Sequence, residues 1–533
     1  MYKPKVSLKE GKIRGSVVPS VLGSSYIAFF EIPYAAPPVG KLRFKDPQPP
    51  VPWKGIRNCA VCKGIVCTQR LEQESNHIVG TEDCLYLNVY TKSITETRPV
   101  MVWVHGGALQ RGSGSYRFMK PDYLVEKDVV VVAVNYRLGA LGFLNLGHPA
   151  APGNQGLKDI IAALRWTQEN IAKFGGDPNN VTLCGQSAGA LLTHASAISP
   201  KAKGLIHKAI MQSGTMLSPW GIGQSRPKRG FKLASLLGIN STDPEEVVDL
   251  LRQLPDKDIV KLETSVLSQK EIDLYDIPFG VNYDEFAEDP VLPLPLSQLC
   301  SNDANIPIMA GQVTYEGLML CYDDNKSAMD AYETHLFDMV QTLGSLKNLG
   351  PAEVDQLHET VKKVYFPNPS LSNILERYLH FGSDAYFTIP LRLYVEDRLK
   401  RATAATYYYW FTYLGNEKTY TDILNYRKIK ASSHMDELVY LFYWPLCKVD
   451  NPSPPAIGTD DRAMIERMTT LWTNFIKTGN PTPCKSDVVN VTWEPATKDN
   501  FRCYQIDRNC EMLTLKPTVV SSNELIVQPN GQL

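Results

Sequence analysis

The chain has 533 residues, enough by length alone for about three domains, yet hydrophobic residues make up 44%, charged residues 21%, and no low-complexity stretch marks a boundary. A net charge of −1 and a pI near 6.8 argue against a nucleic-acid partner or an anionic membrane surface. No window of about 18 apolar residues offers a membrane span, so the expectation is one soluble domain over residues 1–533 with a large core and long loops.

The N-terminus, Met1 to Glu10, lacks the apolar run of a secretory leader. It reads as cytoplasmic; secretion would require a leader missing from this sequence. The 11 cysteines include one CxxC, Cys59 and Cys62, with no matching second half. No metal is expected.

Val100–Val104 and Val129–Val134 are unbroken apolar runs, as in strands covered on both faces. From Asp159 to Phe174, helical spacing (Ile160, Ile161, Leu164, Trp166, Ile171) runs up to Gly175-Gly176-Asp-Pro. A strand at Val181–Cys184, a small-residue helix from Ser187 and a strand at Lys208–Met211 continue the β–α alternation. It predicts an α/β fold with a mostly parallel sheet flanked by helices. Residues 225 to 400 look more helical. Later strands are expected at Ile306–Ala310 and Thr406–Phe411. A helix after Asp460 carries Met464, Met468, Leu471, Trp472, Phe475 and Ile476 on one face and stops at Gly479 and Pro481.

Gly185-Gln186-Ser187-Ala188-Gly189 lies between a predicted strand and a predicted helix. A nucleophile on such a sharp turn needs tiny residues two before and two after it. His105-Gly106-Gly107-Ala108 directly follows the strand ending at Val104, where a Gly-rich loop can offer backbone N–H groups to an oxyanion. Serine needs a base, and the base an acid to orient it. Among 9 histidines, His434 stands in a polar loop after the aromatic strand. Glu316 follows the strand at Ile306, between serine and histidine in the chain. The order Ser, Glu, His is the one used by the α/β-hydrolase fold.

Further segments extend the pattern: Phe30-Glu-Ile-Pro-Tyr-Ala-Ala-Pro-Pro-Val-Gly-Lys-Leu-Arg-Phe44, Glu82-Asp-Cys-Leu-Tyr-Leu-Asn-Val-Tyr90, Asn135-Tyr-Arg-Leu-Gly139 and Phe174-Gly-Gly-Asp-Pro178. With the elbow, they make the chain resemble type-B carboxylesterases and cholinesterases over nearly its whole length. The Gln186 elbow and the absent leader resemble insect alpha-type esterases. The resemblance implies an α/β-hydrolase fold with long helical insertions over the site and a triad of Ser187, Glu316 and His434. It places an oxyanion hole at the amides of Gly107, Ala108 and Ala188, and substrate-pocket residues at Trp220 and Leu109. Ala108 stands where the family usually has a third glycine; its methyl leaves the N–H in place and bears on pocket shape. No tryptophan occurs in Thr68–Thr81, where cholinesterases bind choline, which argues against acetylcholine. In secreted relatives the cysteine matching Cys84 is disulfide-bonded to one upstream, here Cys67 or, as the alternative, Cys62. For a cytosolic chain the Cys67–Cys84 pair is expected close in space but reduced.

The expected activity is acyl-enzyme hydrolysis of small lipophilic, xenobiotic or odorant esters by a monomer, without metal or cofactor. Two alternatives remain. Juvenile hormone esterases share the Gln186 elbow, although their usual Gln after Asp159 is Ile160 here. A slow-turnover protein that sequesters esters would carry the same residues.

Overall fold

The computed structural model describes residues 3–71, 77–221, 226–301, 304–317, 325–425, 427 and 429–527. At its centre lies a sheet of 11 strands. In chain order these are β1 (Ser16–Pro19), β2 (Ser25–Pro33), β3 (Tyr86–Thr91), β4 (Arg98–Val104), β5 (Val130–Val134), β6 (Gly176–Gln186), β7 (Lys208–Gln212), β8 (Ile308–Val313), β9 (Thr406–Phe411), β10 (Phe501–Ile506) and β11 (Glu511–Leu515). Across the sheet they run β11-β10-β9-β8-β7-β6-β4-β5-β3-β2-β1. Strands β4 to β10 pair in parallel, while β1 to β3 at one edge and β11 at the other are antiparallel.

The unbroken apolar runs are explained by burial on both faces. Val100, Val102 and Val104 point into one core, Met101 and Trp103 into the other. Val130, Val132 and Val134 likewise oppose Val129, Val131 and Ala133. Helices α1 (Gln155–Asn170) and α2 (Ala188–Ile198) cover the first face, and α3 (Asp460–Thr478) covers the second. The six apolar residues expected to face inward on α3 are all buried. Thr459 caps its N-terminus by accepting from the Arg462 amide at 3.3 Å, and Gly479, at φ 77°, ends it.

Differences from the sequence reading have local causes. The expected strand at Ile306 starts at Ile308, since Pro307 has no N–H for the ladder. Helix α1 begins four residues before Asp159, and Ile171–Phe174 is a 3₁₀ turn ending at Gly175, φ 75°. Among the described residues, seven α-helices of seven or more residues lie between Pro227 and Arg398, and β8 runs among them. Among the described residues, no helix is long and apolar enough to cross a membrane.

The expectation of a reduced Cys67–Cys84 pair is corrected: the two form a disulfide. A bridge between Cys67 and Thr81, with the Thr81 amide donating to the Val66 carbonyl at 3.1 Å, folds the segment back on itself. Closing a loop of sequence separation 17 stabilises by about 3 kcal/mol on the chain-entropy model. Replacing both cysteines with serine should lower the urea midpoint by that energy divided by the urea slope of the unfolding transition; an unmoved midpoint would show the bond contributes nothing.

Candidate active site

Strand β6 ends at Gln186 and helix α2 begins at Ala188, leaving Ser187 alone on the turn at φ 58°, ψ −125°. The flanking glycines are there because the backbones touch. A Cβ on Gly185 would lie 2.2 Å from the Gly189 carbonyl oxygen, and one on Gly189 would lie 2.1 Å from that of Val104. The Ser187 amide donates to Gln212 O at 2.8 Å, and its carbonyl accepts from Ala190 and Leu191, starting the helix. Ala188 therefore presents its amide from the first turn, where helix N–H groups have no intrahelical partner.

The loop after β4 lies against this elbow. A Cβ on Gly106 would stand 3.1 Å from the Ser187 Cβ. Gly107 (φ 114°), Ala108 (φ 53°) and Leu109 (φ 59°) follow in left-handed conformations, costly for the two non-glycines. Ala108 is half-buried beside the serine turn, whereas Leu109 is fully buried in the core beneath the loop. Leu109 thus shapes the loop from below.

The Glu316 and His434 loops are zipped together. Tyr315 and Ser433 form a parallel bridge, the Tyr315 amide donates to Ser432 O at 2.9 Å, and Ser432 Oγ donates to Phe411 O at 3.0 Å. Glu316 Oε1 accepts from the Val313 amide at 2.9 Å, which turns Oε2 to within 2.5 Å of His434 Nδ1. Both side chains are buried. A carboxylate at Nδ1 assigns the proton to that nitrogen and leaves the lone pair on Nε2. There the Gln186 side-chain nitrogen, Nε2, sits at 3.1 Å. His105 is a poor rival base: burial pushes its imidazole down to about 4, and it is stacked on Tyr136.

Trp220 donates Nε1–H to Tyr386 O at 3.2 Å and packs on Phe387, whose ring is 4.9 Å from that of His434. Both aromatics belong to a wall built by a π-helical turn, Asp384–Thr388. Sequence reasoning reached Trp220 and missed Phe387, because nothing in the run Asp-Ala-Tyr-Phe-Thr distinguishes a π turn from ordinary helix. It also missed Glu437. That carboxyl is fully buried, accepts from Gln212 Nε2 at 3.0 Å, and is pushed up to about 8 by burial and then by Glu316. Gln212 is fixed in turn by the Trp472 indole N–H at 3.1 Å. At neutral pH Glu437 is therefore uncharged and adds no negative charge beside Glu316.

The carboxylesterase family model matches residues 2–521. The chain belongs to the carboxylesterase family. This carboxylesterase is 33% identical to esterase FE4 of Myzus persicae over 94% of the chain and 89% of that protein. It is 33% identical to esterase B1 of Culex pipiens, over 94% and 93% respectively. Among solved structures, juvenile hormone esterase from Manduca sexta, with OTFP covalently attached, superposes with a TM-score of 0.83 at 27% identity, covering 97% of each chain. The fold is accordingly that of the α/β-hydrolases, and the protein is an enzyme that hydrolyses carboxylic esters.

An unfolded glutamic acid titrates near 4.5 and Glu437 near 8, so the folded carboxylesterase holds an extra proton between those values. This group's contribution to stability is present below that window and falls as pH rises through it. Glu437→Gln should lose less thermal stability than the unaltered enzyme as pH rises from about 5 to 8. Parallel melting curves across that range would contradict the assignment.

Proposed function

We propose that this carboxylesterase works through an acyl-enzyme, with Ser187 as nucleophile, His434 as general base and acid, and Glu316 orienting the imidazole. The observation that carries the reading is the buried 2.5 Å Glu316–His434 contact, whose ring nitrogen Nε2 is reached from Gln186, the residue preceding the elbow serine. His434 takes the Ser187 proton as Oγ attacks the ester carbonyl, then gives it to the departing alkoxide; water repeats the cycle on the acyl-enzyme. The amides of Gly107, Ala108 and Ala188 receive the developing oxyanion. Trp220 and Phe387, beside the base, favour small lipophilic acyl groups, and no cofactor enters the reaction. We read the chain as one domain acting as a monomer. The Cys67–Cys84 bond supports an oxidising compartment over the cytoplasm.

Ser187→Ala should abolish hydrolysis of a short-chain nitrophenyl ester, a loss on the order of 10⁶ in turnover, with the circular dichroism spectrum unchanged. A folded variant keeping a tenth of the rate would remove Ser187 from this role.

The sequestering reading keeps the same residues and differs only in the rate of deacylation, in which water must be activated by the His434 Nε2 that also serves acylation and that the Gln186 side-chain amide contacts. Stopped-flow release of nitrophenol separates the two readings. A linear trace without a burst is expected of the hydrolase with fast deacylation; a burst of one equivalent followed by near-zero turnover would establish sequestration.

A further inference from the structure

The oxyanion loop contains two consecutive non-glycine residues in left-handed conformation, Ala108 and Leu109. Each costs about 1–3 kcal/mol and persists only when the surroundings over-determine it. Gln110 and Arg111 amides close a turn on Gly107 O, each at 3.0 Å, and Gln69 brackets Gly112 by bonding both its amide (2.8 Å) and its carbonyl (3.0 Å). Those anchors lie on either side of the strained pair. The pair itself is held at the Leu109 carbonyl, which accepts from the Gly139 amide at 2.7 Å.

Gly139 is held by a buried acid. Glu263, 2% exposed and at the end of the helix Asp256–Leu262, accepts from the Ala140 amide at 2.9 Å. Its carboxyl lies so close under Gly139 that a Cβ there would come within 2.0 Å of Oε2 and 2.7 Å of Cδ. Gly139 also sits at φ 51°, which favours glycine. The Asn135 to Gly139 motif thus ends in a glycine that makes room for an acid coming from more than a hundred residues later in the chain. Burial pushes the Glu263 carboxyl up to about 7, against Arg70 and the Ala140 amide. An acceptor this deep, used on a backbone amide, is expensive as packing alone.

We infer that Glu263 is a positioning residue for the oxyanion hole: by holding Ala140 and walling in Gly139 it fixes the amide that secures Leu109, and so sets the aim of the neighbouring Ala108 N–H. This rests on the oxyanion assignment proposed above. The role requires an acceptor oxygen at full glutamate reach, so Gln can fill it and Asp, one methylene short, cannot.

The test measures kcat and KM on a short-chain nitrophenyl ester, per active site titrated with an organophosphate, for Glu263→Ala, Glu263→Asp and Glu263→Gln. Losing an oxyanion donor outright costs about 10²–10³ in kcat; misaiming one should cost roughly 10–100-fold in Ala and Asp, with KM within about twofold and Gln within about threefold of the starting kcat. Binding of a trifluoromethyl ketone, which forms a tetrahedral adduct, should weaken in step with kcat/KM. If Ala does not fold, Asp carries the comparison. Unchanged kcat per titrated site, a rise in KM alone, or a loss in Gln as large as in Asp would each overturn the inference. Ser187→Ala run alongside keeps the readings apart: activity surviving there removes the serine mechanism, whereas inactivity there with normal Glu263 variants removes this inference only.

Discussion

The site depends on one backbone approach, where the end of β4 meets the first turn of α2. Gly189 stands so close to the Val104 carbonyl that no side chain fits between them. That contact puts the loop after β4 and the turn after β6 side by side, so the proposed nucleophile and the proposed donors Gly107 and Ala108 meet from segments about 80 residues apart. A methyl group at Gly189 would separate them, and one at Gly185 would push strand β6 off the first turn of α2. The strained φ of Ser187, Ala108 and Leu109 follows from the same crowding, since chains packed this closely leave few conformations that keep the hydroxyl and amides pointing outward.

Around this junction the sheet acts as a rigid frame and the loops at its parallel-strand ends carry the chemistry. The proposed base and orienting acid, His434 and Glu316, stand in loops after β9 and β8, neighbours in the sheet, and the Tyr315–Ser433 bridge extends that pairing beyond the strands. Glu316 and His434 therefore share one backbone unit, and their contact does not depend on two independent loops finding each other. Glu437, kept neutral by burial, adds no negative charge beside the pair.

How much of this was legible in the sequence depends on the range of the interaction. The central strands and α3 announce themselves through local periodicity. The elbow and the glycine loop do so because their steric demand falls on adjacent residues. His434 and Glu316 could be selected by chain order and loop position. The antiparallel edge strands β1 and β11 carry weaker patterns, since neither is buried along more than a single residue. Glu263 and Glu437 could not be read at all, because what makes an acidic residue important is the burial it meets from distant segments. The Cys67–Cys84 pair is legible only through the family resemblance, and its disulfide is not legible from the N-terminal residues, which carry no information on whether two distant thiols meet.

The aromatic wall beside His434 rests on a helix defect. Within Asp384–Thr388 the Ile389 amide bonds back five residues to Asp384 O, and the Tyr386 carbonyl accepts from Trp220. Such a turn holds one residue more than the α-helix would. Removing a residue there would restore α-helical register and swing the side chains before it by about 100° relative to Ile389–Arg398, taking Phe387 away from the imidazole. Acyl preference in this scaffold is therefore open to change by the length of a helix as well as by the identity of its side chains, and a one-residue deletion could redraw the pocket while leaving the elbow, the oxyanion loop and the sheet untouched.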